Sequence, residues 1–162
     1  MAFIVTGDGY WVTMMETEDP ILKPKIRPFD YDSDMQKVLD LWSKAGPGVQ
    51  LSRSDQPIEI KKKLSRDPDL FLVAEIGDVI IGTVLGGYDG RRGMVYHLAV
   101  ESNNRKFGLG NSLMQELESR LQSKGCLKYY LLVRKQNEEA LGFYKNIGCE
   151  VMDIYLLGKE IT

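Results

Sequence analysis

Apolar positions in this chain recur in two rhythms, and each change of rhythm marks an element. Met35, Val38, Leu39 and Trp42 fall at helical spacing, which predicts a helix opening at Asp32 or Ser33 and running through Ala45. The preceding Lys25 to Phe29 (KIRPF) reads as a short edge strand, because Pro28 removes a ladder donor. Gly46 to Gln56 (GPGVQLSRSDQ) is a loop, and Pro57 is placed to open a second helix to about Arg66.

The rhythm then shortens. Leu70 to Ile76 and Val79 to Tyr88 read as strands joined by a Gly77-Asp78 turn, and Met94 to Val100 (MVYHLAV) is a third strand beyond DGRRG. Leu109, Leu113, Leu117 and Leu121 restore the helical spacing, giving a helix over Gly108 to Lys124. A strand from Leu127 to Arg134, a helix from Asn137 to Ile147 and a last strand or two from Glu150 complete the series. The implied fold is α/β of the α+β type. A mixed, mostly antiparallel sheet of about six to seven strands is flanked by about four helices. Residues 25–162 form one domain, and 1–24 a leader that is either a small hairpin around Gly7-Asp8-Gly9 or disordered.

Composition narrows the classes without naming one. A net charge of −2 gives no electrostatic reason to expect nucleic acid or an anionic membrane as partner. No apolar run reaches the ~20 residues of a membrane span, and the N-terminus lacks a signal-peptide pattern. Two cysteines, Cys126 and Cys149, suggest free thiols in a reducing cytosol, so a cytoplasmic location is expected. With one histidine and two scattered cysteines, no metal site is expected.

Chemistry concentrates where strands pass into helices. Gly108 and Gly110 follow the Met94–Val100 strand, where helix N–H groups have no intrahelical acceptor and glycine allows close approach. Alone this is a tight turn or an anion site. A second segment, RKQNEEALGFYKNIGCE over Arg134 to Glu150, repeats the strand-to-helix placement. Together the two resemble the GNAT superfamily of acyl-CoA-dependent N-acyltransferases. Arg105, Gly108 and Gly110 match its pyrophosphate-binding pattern after the Leu98-Ala99-Val100 strand end. Asn137, Ala140, Phe143, Tyr144 and Gly148 match its second motif, with Cys149 standing where the family usually has Phe or Tyr.

The resemblance implies acetyl-CoA as cosubstrate, its pyrophosphate on the N–H groups from Phe107 through Leu109 to Asn111, with charge from Arg105 and Lys106. It implies a pantetheine arm along Met94 to Val100 and a backbone N–H near Leu98 or Ala99 polarising the thioester. Tyr144 matches the family's general acid, although Ala140, Phe143 and Ile147 share its helix face and would equally bury it as a core aromatic. Asn137 serves as N-cap, as cofactor contact, or as both.

The base is less legible. Strict alternation sets Val95, His97 and Ala99 on one face and Met94, Tyr96 and Leu98 on the other; the resemblance places a base from this strand at positions matching Met94 or Tyr96, so His97 reads as a packed core residue. Glu75 is the acidic alternative, and a water relay lined by Tyr96 is a third. A covalent cysteine route is disfavoured, since neither cysteine lies beside a base in sequence. The expected reaction is direct attack of a primary amine on acetyl-CoA, the other reading being a non-catalytic acyl-CoA-binding sensor or assembly protein. Acceptor contacts are expected from Arg53, Tyr96 and Tyr155, and the leader and last strand could serve a homodimer.

Overall fold

The computed structural model describes residues 3–5, 11–13, 23–46, 49 and 51–161. Near the N-terminus, β1 (Phe3–Val5) and β2 (Trp11–Thr13) pair antiparallel, apart from the main sheet. The turn expected between them lies outside the described residues.

The main sheet has five strands in the order β3-β4-β5-β6-β7. Its first four, β3 (Lys25–Pro28), β4 (Phe71–Ile76), β5 (Val79–Tyr88) and β6 (Gly93–Val100), are antiparallel neighbours. Gly77, with φ +59°, supplies the left-handed residue the tight β4–β5 turn needs. At the β5–β6 turn, Asp89 Oδ1 accepts the N–H groups of Arg91 and Arg92 at 2.7 and 2.6 Å. The last strand, β7 (Tyr129–Leu131), lies parallel to β6.

Helices cover both faces. α1 (Tyr31–Lys44) and Ile60 of α2 (Pro57–Arg66) close a core around Trp42, Phe71, Val73, Leu85 and Ala99. On the opposite face, α3 (Leu109–Ser123) sets Leu113 and Leu117 against Leu72, Val84 and Val95, and α4 (Glu138–Asn146) adds Phe143 and Tyr144. Leu72 and Val73 go to opposite cores, as strand alternation requires. No helix among the described residues is long and apolar enough to cross a membrane.

Three expectations change. The cap of α1 is Asp30, not Asp32 or Ser33, because its Oδ1 accepts the Ser33 N–H at 2.9 Å. The strand expected over 127–134 pairs only from Tyr129 to Leu131, since β6 leaves its register with β7 beyond Val95. Residues 150–161 form no strand, so among the described residues the main sheet has five strands rather than six or seven. Their apolar run shows what could be buried, not what would cover it, and a three-residue β7 offers only a short ladder.

Candidate active site

One extra residue in β6 shapes the site. Leu85 pairs with His97 and Gly86 with Val95, so Tyr96 has no partner in β5 and forms a β-bulge. The bulge breaks the expected alternation. Val95, Leu98 and Val100 face the α3 core, whereas Ala99 and the ring of His97 lie on the α1 side against Trp42. Tyr96 lies on that side too: a side chain on Gly87 would meet its ring at 3.0 Å and Lys63 Cε at 3.3 Å. The Gly86-Gly87 pair opposite was the signal available in sequence, since glycines inside a strand mark bulges and close approach.

Beyond the bulge β6 and β7 part, and a cleft of about 430 Å³ opens between them. Val95 to Leu98 form one wall and Leu131 to Arg134 the other. Asn137, Ala140 and Tyr144, from α4 and its approach, line the cleft too, and Leu156 borders it as well. The cleft therefore brings together four residues expected at a site: Tyr96, Leu98, Asn137 and Tyr144.

Tyr144 is partly buried, edge-on to Phe143 with ring centroids 5.1 Å apart. Burial, with a smaller contribution from Cys149, pushes its phenol up to about 12, so it holds its proton at neutral pH. Burial likewise raises the Tyr96 phenol, with Asp67 acting in the same sense. Asn137 caps α4, its Oδ1 accepting the Ala140 N–H at 3.1 Å.

At the far end of β6 the chain turns through Lys106 (φ +68°) and Gly108 (φ +83°) into α3. Gly108 is the N-cap residue, and its carbonyl accepts the Ser112 N–H at 3.0 Å. The N–H groups of Leu109, Gly110 and Asn111 precede the first intrahelical bond, so they remain available to an anion, with the helix dipole behind them. A methyl on Gly110 would stand 3.4 Å from Phe143 Cζ, so the two sequence motifs touch here. Phe107 is exposed. Arg105 is committed elsewhere, with Nε on the Val100 carbonyl at 2.9 Å and a terminal nitrogen on the Ala45 carbonyl at 3.0 Å.

Other expected residues stay outside the cleft. Glu75 binds Arg27 at 2.6 Å, which holds its carboxyl below the usual range and makes it a weaker base. Arg53 is exposed on a single 3₁₀ turn before α2, and Tyr155 is almost fully exposed in the C-terminal segment.

Sequence reasoning set His97 among packed residues and Asp55 within the Gly46 to Gln56 loop, without the pairing of the two. His97 does pack on Trp42, ring centroids 4.8 Å apart, but it also borders the cleft, and its Nε2 lies 2.7 Å from Asp55 Oδ1. Asp55 is buried, with Oδ2 accepting the backbone N–H and the hydroxyl of Ser52, both at 2.8 Å.

Comparison with known proteins agrees with this geometry. Residues 35–149 match the model of the acetyltransferase (GNAT) family. An acetyltransferase of Pectobacterium atrosepticum is 41% identical over 137 residues, covering 85% of this chain and 95% of the relative. An uncharacterized N-acetyltransferase of Yersinia pestis is 40% identical over the same length and shares. Among solved structures, the PaiA N-acetyltransferase of Thermoplasma acidophilum, in complex with coenzyme A, superposes with a TM-score of 0.71 at 18% identity. That match covers 82% of this chain and 93% of the other. Naa50 of Arabidopsis thaliana, in complex with a bisubstrate analogue, gives 0.65 at 19%, covering 80% and 85%.

Proposed function

The chain belongs to the acetyltransferase (GNAT) family, and on that footing we propose that it moves an acetyl group from acetyl-CoA to a primary amine by direct attack. The observation that carries this reading is the parting of β6 from β7 beyond Val95, with Tyr144 at the resulting cleft. The residues present fit acetyl-CoA. The N–H groups of 109–111 suit a pyrophosphate, Gly108 holds a left-handed turn without crowding it, and the cleft beside β6 suits a pantetheine arm.

Bound acetyl-CoA would supply the activated thioester. The chain's own groups do the rest. A backbone N–H near Leu98 or Ala99 polarises the carbonyl oxygen. Tyr144, kept protonated by burial, gives its proton to the departing sulfur. Asn137 fixes the start of α4 and through it the position of Tyr144. Direct attack is preferred to a cysteine intermediate because both thiols are engaged elsewhere, Cys126 on the Lys128 carbonyl and Cys149 beside the Tyr129 hydroxyl.

The test is thiol release from acetyl-CoA in the presence of amine acceptors, with mass spectrometry of the product. Acetylated acceptor formed by wild type, and far more slowly by Tyr144→Phe, is the expected result. Acetyl-CoA bound but never consumed with any amine would replace transfer by mere binding.

A further inference from the structure

We propose that His97 is the base that takes a proton from the acceptor amine, with Asp55 holding its imidazole in the working tautomer; this deepens the proposed function and rests on it. At neutral pH an amine acceptor arrives largely as ammonium, since an α-amine titrates near ~8 and a lysine near ~10.4. Attack therefore needs a base, and imidazole is the side chain that titrates in the neutral range. The chain has a single histidine.

Geometry selects it. Asp55 is only 7% exposed, and Ser52 occupies its Oδ2 through two hydrogen bonds, which leaves Oδ1 for His97 Nε2 at 2.7 Å. A carboxylate accepts and does not donate, so in the neutral ring Nε2 carries the proton and Nδ1 the lone pair. Trp42 packs on the ring from the α1 side, and His97 of β6 and Tyr144 of α4 both line the cleft. The titratable groups around it are Asp55 from the turn before α2, its neighbour Tyr96, and Tyr144 of α4. Lys63 of α2, paired with Asp67, lies beside Tyr96.

The step balances. One ammonium proton passes to Nδ1 of His97 and on to solvent. The amine nitrogen forms the new C–N bond as the C–S bond breaks. Tyr144 gives its proton to the sulfur and is restored by the second proton leaving nitrogen. The products are amide, thiol and one released proton. Asp55 touches no reacting atom and acts as a positioning residue.

The substitution of choice is His97→Gln, whose amide N–H can keep the bond to Asp55 while removing the basic nitrogen. Acetyl-CoA binding is measured by calorimetry, and turnover across the neutral pH range with an alanine-initiated peptide, free lysine and spermidine. The ring is also read directly, since one histidine gives one set of imidazole ¹⁵N signals. The expected result is unchanged acetyl-CoA affinity, a kcat lowered about 100-fold at neutral pH, and a gap that narrows as pH rises toward the amine's own titration. The ¹⁵N signals should show Nε2–H with Nδ1 unprotonated, move when acetyl-CoA is added, and lose that preference in Asp55→Asn. A His97→Gln enzyme with wild-type kcat and pH profile would overturn the proposal while leaving acetyl transfer intact. If none of the three amines is acetylated, the ¹⁵N reading decides, and a proton on Nδ1 overturns the proposal. Failure of wild type to bind acetyl-CoA would instead remove the underlying function.

Discussion

Arg105 donates to the carbonyl of Ala45, 60 residues away in sequence, at 3.0 Å. Ala45 is the C-cap residue of α1, so this bond, with the one to Val100, ties the loop that opens α3 to both α1 and β6. Arg105 thus holds the loop in shape, which a simple positive charge would not do. Arg105→Lys keeps the charge and loses the planar two-carbonyl grip. It should weaken acetyl-CoA binding about tenfold, or ~1.4 kcal/mol, and lower the melting temperature by a few degrees. Wild-type affinity and melting in Arg105→Lys would show that charge alone matters.

Tyr144 predicts two pH effects. Its folded-state value of about 12 lies above the ordinary ~10, so its contribution to stability is complete below ~10 and is lost as pH rises toward 12. Tyr144→Phe should therefore flatten the alkaline limb of a thermal-melting profile. In the transfer assay the same variant should lose about 100-fold in kcat with the acetyl-CoA dissociation constant unchanged. A variant that loses affinity and rate together would mark Tyr144 as a packing residue.

The Arg27 cluster predicts behaviour at the acid end. Asp34 is fully buried, and its two oxygens take both terminal nitrogens of Arg27 at 2.5 and 2.9 Å, with the Asp30 N–H at 2.8 Å. Burial opposes ionisation of Asp34, but the bonds from Arg27 and Asp30 outweigh it and hold the carboxyl below its usual range. Its contribution is present above ~4 and disappears as pH falls through the lowered value. Arg27→Met strands a buried carboxylate and should cost about 2–4 kcal/mol in urea unfolding at neutral pH. That is near the lower end for buried pairs, because the Arg27 side chain is 24% exposed. The difference from wild type should shrink on acidification; a constant gap would count against the pairing.

Much of this fold was legible in the residues, and the illegible part has a physical reason. The Gly77-Asp78 turn, Pro57 at the start of α2 and the leucine ladder of α3 are local signals, and each element stands where they put it. The cleft is not local. It lies where β6 parts from β7, next to a bulge in which Tyr96 is one residue too many for β5, and an inserted residue leaves composition and apolar count untouched. That is why alternation misassigned the faces of Val95 and Tyr96, while His97 and Ala99 share the face it gave them. Asp55 was visible only as one charge in a polar loop, because its partner is 42 residues away. Glu75 suggested a base by residue type, and only the fold shows Arg27 beside it.

Gly86 offers a test of the packing beside the bulge. A Cβ there would lie 2.6 Å from Cδ1 of Leu117, a side chain with no exposed surface. Gly86→Ala should cost ~1–3 kcal/mol by overpacking. In a Leu117→Ala background, which supplies the missing space, the same change should cost much less, and a double-mutant cycle reads the difference. Additive effects would contradict the contact.

The central claim is that the turn at Gly108 and the amides of α3 receive acetyl-CoA. Calorimetric titration of wild type and of Gly108→Asp tests it most directly. The substituted side chain sets a negative charge at the helix N-terminus and a non-glycine residue at φ +83°. The account predicts one-to-one binding of acetyl-CoA and of CoA to wild type, weakened at least about 100-fold in the variant, or ~2.7 kcal/mol. No binding to wild type, or equal binding to both proteins, would contradict it.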